Sequence, residues 1–253
     1  MYWADIFVLI LGACIGSFLN VCIYRIPRRE SVAGKPSHCR SCGRRIKARD
    51  LVPVLSFLLL RGRCRHCGGK ISLQYPLVEL CTAALFLAAY RYWGWQWQTV
   101  SMWIFFAVLV TAAVIDLQHT IIPGEILVAG CALGLPVIFF ISLSKLTGGI
   151  LGFFAAGLLL LVIALVSKGG MGGGDIKLGA VMGLFLGWQG VIVALFIAFL
   201  VSGLAAIVLL ATGRKGRKDA VPFGPYLALG GITAAFYADW IINWYLRISG
   251  ISI

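Results

Sequence analysis

Two aspartates in apolar surroundings are the residues of this chain whose type and position best suit chemistry. Asp175 follows three glycines, Gly172 to Gly174, and Asp116 ends another apolar segment. Carboxylates are costly in such surroundings and usually serve a function there. The glycines are expected to adopt backbone angles closed to other residues and to let a second backbone approach closely. The plainer interpretation is a loop in which Asp175 is the N-cap of the next helix.

Two carboxylates held close together cannot both ionise cheaply, so such a pair shares one proton. The ionised member can act as general base toward water, while the protonated member donates to a carbonyl oxygen. This is the chemistry of an aspartic peptidase. Gly172 and Gly174 would let an extended substrate strand lie against the site. On the two acids alone, a structural or proton-relay role, as in a transporter, is equally compatible.

Four cysteines form a second pattern with chemical meaning. They make two C-x2-C pairs, separated by twenty-one residues, and each pair is followed by a glycine. The spacing is typical of a tetrathiolate zinc site, and the glycine suits the tight turn of a zinc knuckle. The predicted zinc ligands are Cys39, Cys42, Cys64 and Cys67. The other four cysteines lie in apolar segments and are interpreted as packing residues.

Further polar residues stand inside or beside apolar segments. Glu79 is predicted to bind substrate or to pair with a cation such as Lys177, which is also placed in the substrate-binding set. Gly12, Gly16 and Asn20 recur at four-residue spacing and predict one small, slightly polar helix face for close packing.

The elements that must position these residues are apolar helices. The chain of 253 residues is 60% hydrophobic and 12% charged, with a mean hydropathy of +0.96. Apolar stretches of about 20 residues predict an all-α, polytopic membrane bundle of about eight segments. Their approximate bounds are residues 4–24, 75–92, 98–117, 125–141, 148–167, 175–187, 191–211 and 223–246.

The positive charge of the chain is concentrated in one place. Of the 22 basic residues, 13 lie between Arg25 and Lys70. Such a block predicts a cytoplasmic loop that attracts anionic membrane lipid, and membrane segments on both sides argue against nucleic acid as a partner. Alternation of the segments then places Asp116 and Asp175 at the cytoplasmic end, with both termini and most tryptophans at the opposite side. The predicted domains are a first membrane helix (1–26), a zinc-binding region (27–72) and a membrane core (73–253).

Several motifs together resemble those of bacterial type IV prepilin peptidases, also called leader peptidase/N-methyltransferases. The resemblance covers nearly the whole chain, and the combination of motifs is specific. The motifs are Gly16-Ser-Phe-Leu-Asn20, Cys64-Arg-His-Cys67-Gly, Gly172-Gly-Gly174-Asp175-Ile-Lys177, which is similar to a G-x-G-D motif, and Phe223-Gly-Pro-Tyr226.

The resemblance implies a membrane aspartic endopeptidase with Asp116 and Asp175 as its catalytic residues. It implies cleavage of the short basic leader of prepilins and pseudopilins, the precursors of subunits of type IV pili and type II secretion systems, after a glycine. It also implies methylation of the new N-terminus from S-adenosylmethionine, with the cysteines tied to methyl transfer. The expected location is the bacterial cytoplasmic (inner) membrane, with the active site facing the cytoplasm.

A protein of another class remains as the alternative: a proton-coupled transporter that uses Asp116, Asp175 and Glu79. Internal symmetry would favour it, but the sequence shows none, and a transporter has little use for a zinc module. A G-x-G-D peptidase without methyl transfer is a further alternative, against which the four cysteines argue.

Overall fold

The computed structural model describes residues 2–34, 36–167, 170–213 and 221–249, and these residues are mostly helical. In those ranges the only β-type pairings are two isolated bridges, which lie between residues 38 and 70. The all-α prediction is therefore confirmed. The helices are α1 (Tyr2–Arg25), α2 (Leu55–Leu59), α3 (Gln74–Trp93), α4 (Trp97–His119), α5 (Gly124–Ile141), α6 (Leu143–Val166), α7 (Gly173–Ala211) and α8 (Gly224–Ile248).

Five of the described helices, α1, α4, α5, α6 and α7, are long and apolar enough to cross a membrane. This confirms a polytopic membrane bundle, while the number of eight segments stays a prediction. Helix α7 has 39 residues and is broken at Gly187, whose φ of 73° and ψ of 173° are not helical. Only glycine adopts a positive φ without strain, and the break falls at the last residue of the first of the two segments predicted there.

The chain forms two compact units, and the first, Met1–Trp95, contains α1, α3 and the polar segment between them. Helices α1 and α3 pack at short range because α1 presents glycines. A β-carbon at Gly12 or Gly16 would lie 2.7 Å from a backbone Cα of α3. Asn20 Nδ2, on the same face, donates to the backbone oxygen of Tyr75 at 3.1 Å. The predicted packing face of α1 is confirmed.

The second unit, Gln96–Ile253, is a helical bundle around α4. Of the 18 most apolar consecutive residues of α4, 67% are buried, whereas the corresponding share is only 22–28% in α5, α6 and α7. Phe105 stacks on Phe185 of α7 with ring centroids 5.2 Å apart, and Phe106 stacks on Phe236 of α8 at 5.6 Å. The central helix therefore has its position set by aromatic contacts with two neighbours.

Helices α6 and α7 pack backbone against backbone. A β-carbon at Gly152 of α6 or at Gly183 of α7 would collide with main-chain atoms of the other helix. Small residues permit this approach and strengthen helix association in membranes. The contact holds the first part of α7, whose first turn carries Asp175.

Candidate active site and metal centre

Asp116 lies near the C-terminal end of α4, where only 5% of the residue is exposed. Its Oδ2 accepts a hydrogen bond of 2.7 Å from the N–H of Gly224, the first residue of α8. The first N–H groups of a helix have no partner within the helix and carry its positive dipole end. Asp116 therefore satisfies one of them. A β-carbon at Gly224 would lie 2.8 Å from the same oxygen, so only glycine leaves room.

Asp175 lies in the first turn of α7, which begins at Gly173 with Gly172 as its N-cap. The Gly172 amide lies within hydrogen-bonding reach of the Asp175 carboxylate. The third residue of the helix thus reaches back to the N-cap N–H, as in half of a capping box. The interpretation of Asp175 as the N-cap itself is wrong.

The structure brings the two aspartates together, although fifty-nine positions separate them in the sequence. Asp116 and Asp175 lie close enough for their charges to interact. Each also contacts a backbone N–H at the start of a helix, α8 for one and α7 for the other. Two acids held this way can share a proton beside polar backbone. Their catalytic role stays a prediction at this point.

The glycines before Asp175 have ordinary backbone angles, and their role is to allow close packing. Neither Gly172, Gly173 nor Gly174 has a positive φ, so the expectation of angles closed to other residues is wrong. A β-carbon at Gly174 would lie 2.9 Å from Cβ of Ile122, in the turn between α4 and α5. Gly174 therefore lets the start of α7 contact that turn. A seat for a substrate strand at Gly172 and Gly174 stays a prediction.

The other two residues of the predicted substrate-binding set lie in different units. Lys177 is exposed on α7 in the second unit. Glu79 lies on α3 in the first unit, is 6% exposed, and accepts a hydrogen bond of 2.7 Å from Val54 N–H. A role for either residue in substrate binding stays a prediction.

The four predicted zinc ligands form one cluster. Their sulfur atoms all lie within 4.8 Å of one another, and Cys39 Sγ is 3.9 Å from Cys67 Sγ. A tetrahedral zinc ion with Zn–S bonds of about 2.3 Å separates its sulfurs by about 3.8 Å. The spacing of the cysteine sulfurs therefore fits zinc.

Two loops of the same construction present these sulfurs. Gly43 N–H donates to Cys39 O, and Gly68 N–H donates to Cys64 O, both at 2.9 Å. Gly43 and Gly68 also share a φ of 68°, which favours glycine. The residues that flank each loop form an isolated antiparallel bridge, His38 with Arg45 and Arg63 with Lys70. The prediction that these glycines make tight turns is confirmed.

The thiols of the cluster are electrostatically unequal. The backbone amide of Cys42 lowers the pKa of Cys39 to about 6. The Gly69 amide acts to lower the pKa of Cys67, but desolvation and the neighbouring thiols raise it to about 11. Four thiolates this close repel one another, and a divalent cation offsets that repulsion. The donor set thus also fits zinc in its charge.

Sequence reasoning did not identify Gly224 as part of the site. The motif Phe223-Gly-Pro-Tyr226 marks a helix start, because proline has no N–H and is tolerated in the first turn. Nothing in that motif shows which acid would accept the glycine N–H. The Gly-Pro pair could have indicated such a contact, because the glycine N–H at the helix start has no partner within the helix and the proline has no N–H.

The fold defines a multi-pass helical membrane protein with a small zinc-ribbon-like insertion. Residues 10–93 match the model of the bacterial peptidase A24 N-terminal domain, and residues 103–207 match that of the type IV leader peptidase family. This chain belongs to the type IV leader peptidase family, which confirms the resemblance drawn from its motifs.

Several relatives are similar over nearly their full length, and each is a prepilin leader peptidase/N-methyltransferase. The relative from Bacillus subtilis is 37% identical over 240 residues, which cover 95% of this chain and 97% of the relative. The relative from Xanthomonas campestris is 34% identical over 95% of this chain and 94% of its own length. The relative from Pseudomonas aeruginosa is 31% identical, with 96% and 93% covered. No solved structure shows a significant match to the chain.

We predict one zinc ion per chain, held by the four clustered cysteines. Metal analysis of the purified protein should give about one zinc per chain, and replacing all four ligands with serine should remove it. The matched control replaces four other cysteines with alanine, Cys14, Cys22, Cys81 and Cys131, which the structure places outside the cluster. Equal zinc in the serine variant and the wild type would contradict the site.

Proposed function

We propose that this protein cleaves the leader of prepilins or pseudopilins with Asp116 and Asp175, and that it methylates the N-terminus so released. The observation that carries the peptidase assignment is the meeting of two distant aspartates at two helix N-termini. The names of the relatives supply both activities and the substrate class. Family membership also favours an enzyme over the transporter.

The proposed cleavage uses the pair as a shared acid and base. One carboxylate takes a proton from a water molecule, and the water oxygen attacks the scissile carbonyl carbon. The other carboxyl group, which is protonated, donates its proton to the carbonyl oxygen. The C–N bond then breaks as the proton taken from water passes to the leaving amine, and the second carboxyl group regains its proton from the tetrahedral intermediate. The Gly224 N–H holds Asp116 in a fixed orientation during these steps. Gly172 and Gly174 would lie beside an extended substrate strand.

The proposed methyl transfer uses S-adenosylmethionine and belongs to the first unit. This unit has its own family model and contains the four clustered cysteines, whereas both aspartates belong to the second unit. Zinc would supply structural order here, since four cysteines would complete its coordination. The two loops that carry the cysteines would then be fixed against each other.

The protein is a multi-pass inner-membrane protein, and we propose that its peptidase site faces the cytoplasm. In the second unit, exposed tryptophans stand away from the aspartate end of the helices: at the start of α4, at the break in α7 and near the end of α8. They are Trp97, Trp188, Trp240 and Trp244. Tryptophan collects at membrane interfaces, while basic loops stay in the cytoplasm.

Anionic membrane lipid is a further proposed partner. The block of basic residues between Arg25 and Lys70 follows directly from α1 and precedes α3. Each basic residue near an anionic bilayer gains about 1 kcal/mol. Lipid collected there would offset the repulsion between this block and a basic leader, so the leader and the substrate's apolar helix would be positioned by the membrane.

We predict that Asp116→Asn and Asp175→Asn each reduce leader cleavage by at least about 10³-fold, because either change removes the shared proton. Cleavage of a purified prepilin in detergent measures the effect, and unchanged thermal unfolding shows that the variants fold. Asp239→Asn is the control, since this exposed residue lies near the far end of α8. Wild-type cleavage by either folded variant would disprove the dyad.

We predict that Gly224→Ala lowers the cleavage rate by roughly 10²-fold, the cost of moving a reacting group by about 1 Å. The added β-carbon would displace the Asp116 carboxylate. Gly124→Ala is the matched control, because Gly124 also begins a helix and has open space around it. Equal rates for the two variants would show that the Gly224 contact does not position Asp116.

We predict that both the C-terminus and the N-terminus lie outside and that the polar segment of the first unit lies in the cytoplasm. Alkaline phosphatase, which is active only after export, should be inactive when fused after Ser31 and active when fused after Ser249. The opposite pattern would reverse the membrane orientation and place the aspartates at the outer face.

A further inference from the structure

The first unit contains a cavity that the peptidase reaction does not use. Its volume is about 300 Å³, and all of its lining residues belong to the first unit. Helix α1, the cysteine loops and the start of α3 surround it. Pockets that hold small organic molecules have volumes of roughly 300–1,000 Å³. The cavity is therefore large enough for a ligand of that class.

Glu79 places a carboxyl group in the cavity wall without an ion-pair partner among the described residues. The residue is 6% exposed and lines the cavity. It accepts hydrogen bonds from Val54 N–H at 2.7 Å and from the Ser17 hydroxyl, both neutral donors. The two ion pairs among the described residues involve other acids. A buried carboxylate without a counter-ion is costly, so the part of the cavity at Glu79 favours a positively charged group. The rest of the wall carries several arginines and favours an anionic group.

Val54, which donates its N–H to Glu79, has an unusual backbone conformation. Its φ of 62° and ψ of −52° are unusual for a β-branched residue. Such strain persists only where the surrounding structure imposes it, and it concentrates at functional sites. The carboxylate of Glu79 is thereby held in one orientation at the cavity wall.

Asn20 adds an unused acceptor to the same cavity. The residue is 1% exposed, and its Nδ2 donates to the backbone oxygens of Gly16 and Tyr75. Its Oδ1 has no hydrogen-bond partner among the described residues, and the residue lines the cavity. Buried polar atoms without partners are costly, so a ligand that donates a hydrogen bond is favoured here.

Aromatic rings and a guanidinium complete the wall. Arg40 lies with its guanidinium carbon 4.0 Å from the ring centre of Tyr24 and 5.3 Å from that of Tyr75. All three residues line the cavity. Aromatic faces bind planar bases and cationic centres. A guanidinium binds carboxylates with two parallel hydrogen bonds.

We propose that this cavity binds S-adenosylmethionine, an inference that rests on the proposed methyl transfer and assigns its binding residues. Glu79 recognises the positive sulfonium and ammonium groups, and Asn20 Oδ1 accepts from an amino or hydroxyl group. Arg40 binds the carboxylate, and the ring of Tyr75 contacts the adenine. The product S-adenosylhomocysteine has lost the sulfonium charge, so Glu79 holds it less tightly and favours its release.

Binding measured by calorimetry on the full-length, zinc-loaded protein in detergent tests the proposal. Glu79→Gln should weaken S-adenosylmethionine binding by about tenfold or more and change S-adenosylhomocysteine binding far less, because only the former carries the sulfonium. Arg40→Gln should weaken both by similar factors, since both ligands keep the carboxylate. Glu30→Gln and Arg49→Gln, which do not line the cavity, should change neither.

The outcomes separate the cavity assignment from the proposed function. If the wild type binds S-adenosylmethionine and Glu79→Gln and Arg40→Gln bind it equally well, the donor lies elsewhere and the cavity assignment is overturned. If Glu79→Gln weakens both ligands equally, the carboxylate does not recognise the sulfonium and the inference is likewise overturned. A wild-type protein that binds no S-adenosylmethionine and methylates no cleaved prepilin would contradict the proposed methyl transfer itself. A change of zinc content, measured on the same samples, would identify a variant whose loops have lost their fold.

Discussion

The hydrogen bond from Gly224 N–H to Asp116 is the interaction on which the geometry of the aspartate pair depends. It joins the end of α4 to the beginning of α8 and places a carboxylate at a positive helix end. Gly174, in turn, sets the start of α7 against the turn that follows α4. Three chain segments therefore converge on one point through two glycines. The aspartates owe their proximity to backbone contacts, which long side chains would not permit.

The polar segment of the first unit is held together by other interactions. This segment has little apolar material of its own, so two short loops are held by the cysteine cluster and by hydrogen bonds within each turn. Buried Arg25 adds a second tie, because its guanidinium donates to the backbone oxygens of Ser31, Val32 and Pro36. Such a framework can keep a cavity open beside helices without a large hydrophobic core.

Sequence reasoning predicted the features that depend on neighbours along the chain. The apolar segments, the knuckle glycines and the four-residue repeat of Gly12, Gly16 and Asn20 all follow from local spacing. Contacts between distant segments could not be predicted in the same way. The partner of Asp116 lies 108 positions away, and the space that Gly174 provides is visible only once Ile122 has been placed.

Glu79 is a second example of a residue whose contacts could not be predicted from the sequence. Its position inside an apolar segment indicated a functional acid, which is a local signal. Its donor, however, is the N–H of Val54, a residue whose backbone angles are unusual for its type. Sequence propensities describe common backbone conformations, so they do not predict a contact that depends on a rare conformation.

The break in α7 at Gly187 has a consequence for water. The stretch from Gly173 to Gly187 rises only about 20 Å at 1.5 Å per residue, whereas the hydrocarbon layer is about 30 Å thick. With Trp188 at one interface, Asp175 would lie several ångströms below the opposite surface. If Asp175 takes part in hydrolysis as proposed, the one water molecule that each reaction consumes would reach it through a wet indentation of the membrane surface. The depth of that indentation, and with it the thickness of the surrounding bilayer, would then be a determinant of turnover.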